Sequence, residues 1–425
     1  MRALAERQHR RGHDVTVVTL TAAGMDQAVP PAAGQVVRLG RNTARAGSIS
    51  YRYFPAGPRW IRDQGADVVH IHASSFSPLA FATARAAAGL GIPTAVTVHS
   101  LWNNSTPLFA IADQLTGWAD WPVAWSAVSR VAAVALRRIL PCGTPVTIMA
   151  NGVDPRAWAP ARPSADGRRL RVVTVGRLAR RKRIGPLARI LYRAQQTLGA
   201  ACRIEATVIG EGPTRPRIER FLRRTAMDRS VALPGAMHQD QVAAVLAGAD
   251  LYLAPARLES FGIAALEARC AGLPVLAMAG TGIEDFVADG TEGWLADSDH
   301  DMTARIVELA RNRSQLLSVA HHNRTHPPAI TWPKVLDTCD QLYSDAGAPT
   351  FACSGQPDPV AVPDRRATAG SGAPHGNTSQ HGRTSTLATA TWPDTESRRP
   401  KVRAALGHAA LGMRATDAVA RSDDV

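Results

Sequence analysis

Two carboxylates eight residues apart, Glu259 and Glu267, bracket the segment of this chain with the most chemistry in it, Glu259-Ser260-Phe261-Gly262-Ile263 and the residues that follow. An apolar run ends at Pro255, a polar turn follows, and the pattern predicts a helix starting near Gly262. A helix N-terminus carries unpaired backbone N–H groups and the positive end of the helix dipole, so it favours a phosphate. Gly262 lets the backbone approach such a ligand with no side chain in between. Carboxylates do not help a phosphate, but they accept hydrogen bonds from hydroxyl groups, so Glu259 and Glu267 suit a hydroxyl-rich ligand such as a sugar. The plainer alternative, a helix cap at Glu259 and a surface residue at Glu267, stays open at this point.

A second segment supplies cations. The run Val172-Val173-Thr174-Val175 reads as a strand and delivers Gly176, then Arg177, Arg180, Arg181, Lys182 and Arg183. Loops that leave a parallel strand lie at the carboxyl edge of the sheet, where ligands bind. Arginine holds phosphate oxygens through a planar fork and lysine acts as a compact charge. A solvated basic run is the alternative. Gly210-Glu211-Gly212 also follows a strand-like run, but no third glycine comes at dinucleotide spacing, so it is the weaker phosphate loop. His99 ends the run Val96-Thr97-Val98. There it can bond a sugar, carry a proton or serve the structure alone. His70 and His72 alternate on one strand and share a face, with no convincing further ligands beside His99, so no metal is expected.

These residues need elements to hold them. Short apolar runs at 14–20, 36–39, 67–72, 93–99, 124–129 and 146–150 alternate with helical stretches such as 79–88. After a Pro- and Ala-rich linker at 155–167 the alternation restarts, with strands expected at 170–175, 204–209, 231–233, 251–255 and 274–277. The fold class implied is α/β: two Rossmann-like doubly wound domains, 1–155 and 168–328, facing across a cleft. A final helix at 332–343 falls in a closing segment, 329–345. From 346 to 425 periodicity gives way to Gly, Pro, Ser, Thr and Arg, and a disordered tail is expected, with a marginal helix at 404–413.

Composition narrows the function. The five cysteines (Cys142, Cys202, Cys270, Cys339, Cys353) form no CxxC pair, which argues against a disulfide framework or structural zinc and fits a reducing compartment. No run approaches 18 uncharged apolar residues and the first residues are charged, so neither a membrane span nor a signal peptide is expected. The expected location is the cytoplasm, with peripheral contact to a membrane. The net charge of +14 fits phosphorylated or membrane partners, or simply scattered arginines. Nucleic acid is not an expected partner, because no recognition fold or interleaved aromatics accompany the charge.

Taken in order, these segments resemble the retaining nucleotide-sugar glycosyltransferases of the GT-B fold, family 4, over about residues 1–345. The residues that carry the resemblance are Glu259-Ser260-Phe261-Gly262 through Glu267, Gly176-Arg177-Leu178 with Lys182, Asn151-Gly152-Val153-Asp154, and the spacing of Gly235, Leu246, Ala249-Asp250 and Pro255. The resemblance implies transfer of a sugar from a UDP- or GDP-sugar to an acceptor hydroxyl with retention, without a cofactor or metal. Arg177 and Lys182 then hold the donor diphosphate, and the backbone near Ser260, Phe261, Gly262 and Ile263 meets phosphate and sugar. Glu259 contacts sugar hydroxyls, Glu267 the ribose, and His99 the donor sugar. Gly176, Gly210 and Gly212 belong to the donor loops, and Met237, in the loop after Gly235, lies near the base. The acceptor is unspecified, with a lipid-linked one among the options. The family also opens with a strand and a Gly-Gly loop, whereas this chain begins inside the following helix. A truncated or misassigned start is therefore expected, with a gap in the centre of the first sheet and impaired activity. A sugar-nucleotide-binding relative without full activity is the alternative function, and a basic nucleic-acid-binding protein a weaker one.

Overall fold

Apolar strand runs without polar alternation form parallel sheets covered by helices on both faces, and the chain does this twice. The structure is a computed structural model describing residues 2–19, 35–38, 56–63, 65–74, 77–102, 106–161, 163, 167–349 and 401–406. The first half runs α1 (Arg2–Arg10), β1 (Asp14–Thr19), β2 (Gln35–Arg38), α2 (Ala56–Arg62), β3 (Val68–Ala73), α3 (Pro78–Gly89), β4 (Thr94–Val98), α4 (Thr106–Thr116), β5 (Ala124–Ala127), α5 (Arg130–Arg137) and β6 (Val146–Ile148). The second runs β7 (Arg169–Val175), α6 (Ile184–Leu198), β8 (Arg203–Ile209), α7 (Arg215–Arg224), β9 (Val231–Gly235), α8 (Gln239–Ala247), β10 (Leu251–Ala254), α9 (Ile263–Cys270), β11 (Val275–Met278), β12 (Gly293–Ala296), α10 (Asp299–Arg311) and α11 (Arg313–Thr325). Then come α12 (Trp332–Asp345) and, far along the chain, β13 (Lys401–Leu406).

The second sheet has the order β12-β11-β10-β7-β8-β9, all parallel. Order reverses between β7 and β10, and the carboxyl ends of those two strands therefore open onto the crevice where ligands sit in such folds. Strand β12 was not expected from the sequence. It adds an edge beyond β11, with Trp294 buried in the core beneath it.

The first sheet has the order β2-β1-β13-β3-β4-β5-β6. The gap expected at its centre is filled. Strand β13 runs parallel to both neighbours, Asp14–Thr19 matching Lys401–Leu406 on one side and Val402–Leu406 matching Val68–His72 on the other. Strand β3 is buried along its whole length and β1 beyond its first residue, so their facing N–H and C=O groups need partners that water cannot supply. Strand β13 lies within the segment, 346–425, where the sequence suggested a tail without regular structure. Of the marginal helix expected at 404–413, residues 404–406 are strand and the remainder lies outside the described residues.

Helix α12 packs back on the first domain. Leu336, Cys339, Leu342 and Tyr343 join Leu4, Val15, Val17 and Val68 in one buried cluster. Arg11 reaches Asp340 at 2.7 Å and Asp337 at 2.8 Å, and the Arg7 guanidinium lies 4.3 Å from the centre of the Trp332 ring. The Gln8 amide donates to the Tyr343 hydroxyl at 2.7 Å, and the same hydroxyl meets His70 Nδ1 at 3.0 Å. Complete burial holds the His70 imidazole down at about 3, so it is neutral at ordinary pH. The linker is also docked: the Ala161 N–H donates to the Ala271 carbonyl at 2.6 Å.

Candidate active site

A cavity of about 520 Å³ opens between the carboxyl edges of the two sheets. Its second-domain wall begins where β10 ends at Ala254 and the chain turns through Pro255 to Gly262. Gly262 sits at φ +90, the left-handed region, and caps α9 from there. The first intrahelical bonds run from Ala265 and Leu266 to the Gly262 carbonyl, at 2.9 and 3.0 Å. The N–H groups of Ile263 and Ala264, both cavity-lining, precede those bonds and form the positive tip of the helix.

Opposite this tip, the loop after β7 carries Gly176 and Arg177, then a single tight turn at Arg180–Lys182. Lys182 Nζ lies 2.5 Å from Glu259 Oε2. Arg177 is exposed at the rim, and among the described residues its guanidinium has no ion-pair partner. One cation paired to a carboxylate, a second cation beside it and a helix N-terminus thus converge on one corner of the cavity. Glu267 lies one helical turn further in, on the same wall. Burial pushes its carboxyl up to about 7.

That shift has a consequence for stability. Glu267 ionises near 4.5 when unfolded and near 7 when folded, so the folded state loses stability as pH rises from 4.5 to 7, and the loss then levels off. Glu267→Gln is expected to unfold at higher urea than the parent at pH 8, by up to about 3 kcal/mol, and to match it at pH 4. An equal difference at both pH values would show that the carboxyl charge is not the cause.

The first domain contributes His72, Ala73, Ser74, His99 and Asn151. His99 leaves the end of β4, and its Nε2 meets His72 Nδ1 at 2.8 Å, so one imidazole donates to the other. Ser260 Oγ donates to the His99 carbonyl at 2.7 Å, and Ser129 Oγ donates to the Ser260 carbonyl at 2.5 Å. Further out, Arg130 clasps Asp285 through its backbone N–H and its Nε, both at 2.8 Å. The two domains are therefore stitched together beside the cavity, and Ser260 bonds to both His99 and Ser129 of the first domain.

Of the residues picked from the sequence, Glu259, Arg177, Lys182, His99, Gly176, Ser260, Phe261, Gly262, Ile263 and Glu267 all line this cavity. Gly210, Gly212 and Met237 do not. At φ +134, Gly210 packs on the backbone of Gly176, and Gly212 packs on the backbone of Leu178, leaving no room for a Cβ at either. These glycines let the two loops stack. Met237 packs against the core cluster that the two domains share. Sequence reasoning gave His72 no role in the cleft and passed over Tyr252. The Tyr252 ring is buried and its hydroxyl donates to the Val175 carbonyl at 3.3 Å, which fixes the loop after β7 against β10. Nothing in a strand-interior tyrosine signals that bond.

Comparison with known proteins places this geometry. The family described as Glycosyltransferase Family 4 matches residues 1–157, and the one described as Glycosyl transferases group 1 matches residues 169–312. The GDP-mannose-dependent alpha-mannosyltransferase of Mycobacterium tuberculosis is 26% identical over 371 residues, covering 79% of this chain and 88% of that protein. A D-inositol 3-phosphate glycosyltransferase of Stackebrandtia nassauensis is 32% identical over 223 residues, 47% of this chain and 49% of that one. With the colanic acid biosynthesis glycosyltransferase WcaL of Salmonella typhimurium, described as putative, the identity is 26%, and the chain spans 42% of that relative's length. Among solved structures, sucrose-phosphate synthase from Thermosynechococcus elongatus superposes with a TM-score of 0.63 at 19% identity, covering 82% of this chain and 92% of its own. The Anabaena protein HepE in complex with UDP and glucose gives 0.64 at 13% identity, covering 80% and 94%. The chain belongs to the family 4 glycosyltransferases and has their GT-B fold, two Rossmann-like domains facing across a cleft.

Proposed function

We propose that this chain transfers a sugar from a nucleoside-diphosphate sugar to an acceptor hydroxyl, with retention at the anomeric carbon. The observation that carries the reading is the corner formed by Lys182, Arg177 and the α9 tip, with Glu259 on its inner side. Departure of a nucleoside diphosphate builds negative charge on its phosphate oxygens. Fixed cations and N–H groups aimed at that charge stabilise it without rearranging. Lys182 and Glu259 neutralise each other across 2.5 Å. A bound donor divides the pair: the ammonium turns to phosphate and the carboxylate accepts from sugar hydroxyls. Glu267 accepts from the ribose, and His99, held by His72, faces the sugar from the acceptor side.

Among the described residues, the carboxylates lining the cavity are Glu259 and Glu267, both on the donor wall. The acceptor wall offers histidines, serine and asparagine. Attack from the leaving-group face, with a phosphate oxygen taking the acceptor's proton, is the route that the family resemblance implies. HepE is described in complex with UDP and glucose, and the tuberculosis relative is described as GDP-mannose-dependent. Both nucleotides are therefore the first donors to try.

The test is a panel of UDP- and GDP-sugars, read by thermal shift and by release of nucleoside diphosphate with added acceptors. A matching donor is expected to raise the melting temperature by mass action. If no nucleotide sugar shifts it and none is turned over, the reading fails. Because the ionised Glu267 accepts hydroxyl bonds more strongly than the protonated carboxyl, donor affinity should rise between pH 6 and pH 8. Glu267→Gln should bind more weakly and flatten that rise. An unchanged profile in the variant would separate Glu267 from the ribose.

A further inference from the structure

Arg183 stands out on backbone grounds. Its φ of 58 and ψ of 28 put it in the left-handed region, and Ala226 is the only other non-glycine residue there with positive φ among the described residues. That conformation disfavours any residue with a Cβ, and where it persists the surrounding structure must enforce it. Arg183 follows Lys182 directly and caps α6, accepting from the Leu187 N–H at 3.0 Å while its own N–H donates to the Arg180 carbonyl at 3.1 Å. The backbone therefore reverses at this residue, immediately after the lysine that faces the cavity.

The side chain explains what holds it there. Arg183 Nε donates to the Pro255 carbonyl at 3.1 Å, and its terminal nitrogen meets Asp299 Oδ1 at 2.5 Å. Pro255 is the first residue of the turn that carries Glu259, and Asp299 is the first residue of α10, which packs on α6. Arg257, two residues into the same turn, reaches Asp299 at 3.6 Å. One guanidinium thus ties together the lysine loop, the glutamate turn and a third helix. Arg183 does not itself line the cavity, and its charge is met by Asp299.

We propose that Arg183 is a positioning residue that sets the distance between Lys182 and Glu259, and so shapes the diphosphate corner without touching the donor. This rests on the donor reading given above. A fork is needed for the task, since one arm must reach a backbone carbonyl while another holds a carboxylate.

The experiment compares Arg183→Gly, Arg183→Lys and Lys182→Ala with the parent, measuring UDP and GDP affinity by calorimetry and the melting temperature of the unliganded protein. Glycine accepts the left-handed backbone freely, so Arg183→Gly should keep or raise the melting temperature. It should nevertheless bind the preferred nucleotide about tenfold more weakly, because the corner loses its geometry. Arg183→Lys, which keeps the contact with Asp299, should recover part of that affinity. If Arg183→Gly binds as tightly as the parent while Lys182→Ala does not, the inference is overturned and the donor reading stands. A melting temperature that falls in step with affinity, with no recovery in Arg183→Lys, also overturns it, since Arg183 is then only part of the scaffold. If the parent binds neither nucleotide and Lys182→Ala changes nothing, the donor reading itself has failed.

Discussion

Lys182→Ala is expected to slow sugar transfer at least a hundredfold, roughly the loss seen when one preorganised charge-stabilising donor is removed from an active site. The fold should survive the change. The Lys182 side chain is 38% exposed, and an ion pair that open to water contributes little to stability. The catalytic loss has two parts. The departing diphosphate loses its nearest ammonium, and Glu259, only 15% exposed, is left facing it as an uncompensated negative charge. The second part can be isolated. Adding Glu259→Gln to Lys182→Ala removes the repulsion, so the double variant should bind UDP or GDP more tightly than Lys182→Ala alone, although neither transfers sugar well. A double-mutant cycle on nucleotide affinity measures this coupling directly. Parental turnover in Lys182→Ala would move the diphosphate out of this corner altogether.

The corner was legible in the sequence for a physical reason. Each of its parts is local: a strand followed by basic residues, and a strand followed by a turn and a helix start. The parallel α/β pattern then brings all such loops to one edge of the sheet, so Arg177, Lys182, Glu259 and Gly262 had to converge once the strands were found. His99 was found the same way. What escaped was set by contacts between distant segments. Gly210 and Gly212 look in sequence like a phosphate loop, but their lack of side chains serves stacking against Gly176 and Leu178. The pairing of His72 with His99 depends on β3 lying beside β4, with Ala73 matched to Val98. The left-handed backbone at Arg183 has no local signature, because arginine is not a residue that prefers it. Strand β13 is the extreme case. It is six residues more than fifty positions beyond α12, partly within the stretch whose pattern suggested a marginal helix, and the slot between β1 and β3 gives it a reason to be extended.

That slot leads to the largest structural effect. A chain ending at Thr350, and so lacking β13, is expected to lose the first domain as a cooperative unit while keeping the second. Without β13 the ladder with β1 over six positions and the ladder with β3 over five both vanish. The N–H and C=O groups released belong to strands that are almost wholly buried. Each buried group left without a partner costs roughly 1–3 kcal/mol, and a handful of them exceeds the roughly 5–15 kcal/mol that a whole domain has to spare. The second domain has its own sheet and core, built on Leu170, Ile204, Leu251 and Trp294, and does not use β13. Hydrogen exchange distinguishes the two halves. In the shortened chain the amides of 14–19 and 68–73 should exchange rapidly, while those of 169–175 and 203–209 stay protected. Transfer activity should disappear as well, because His72 and His99 ride on β3 and at the end of β4. A peptide covering 398–409, added in trans, should restore both the protection and the activity in a concentration-dependent way, since the slot it enters is formed by the strands on either side. Parental protection of β1 and β3 in the shortened chain would mean that the two strands hold together without a partner between them, and the 401–406 segment would then have no part in the fold.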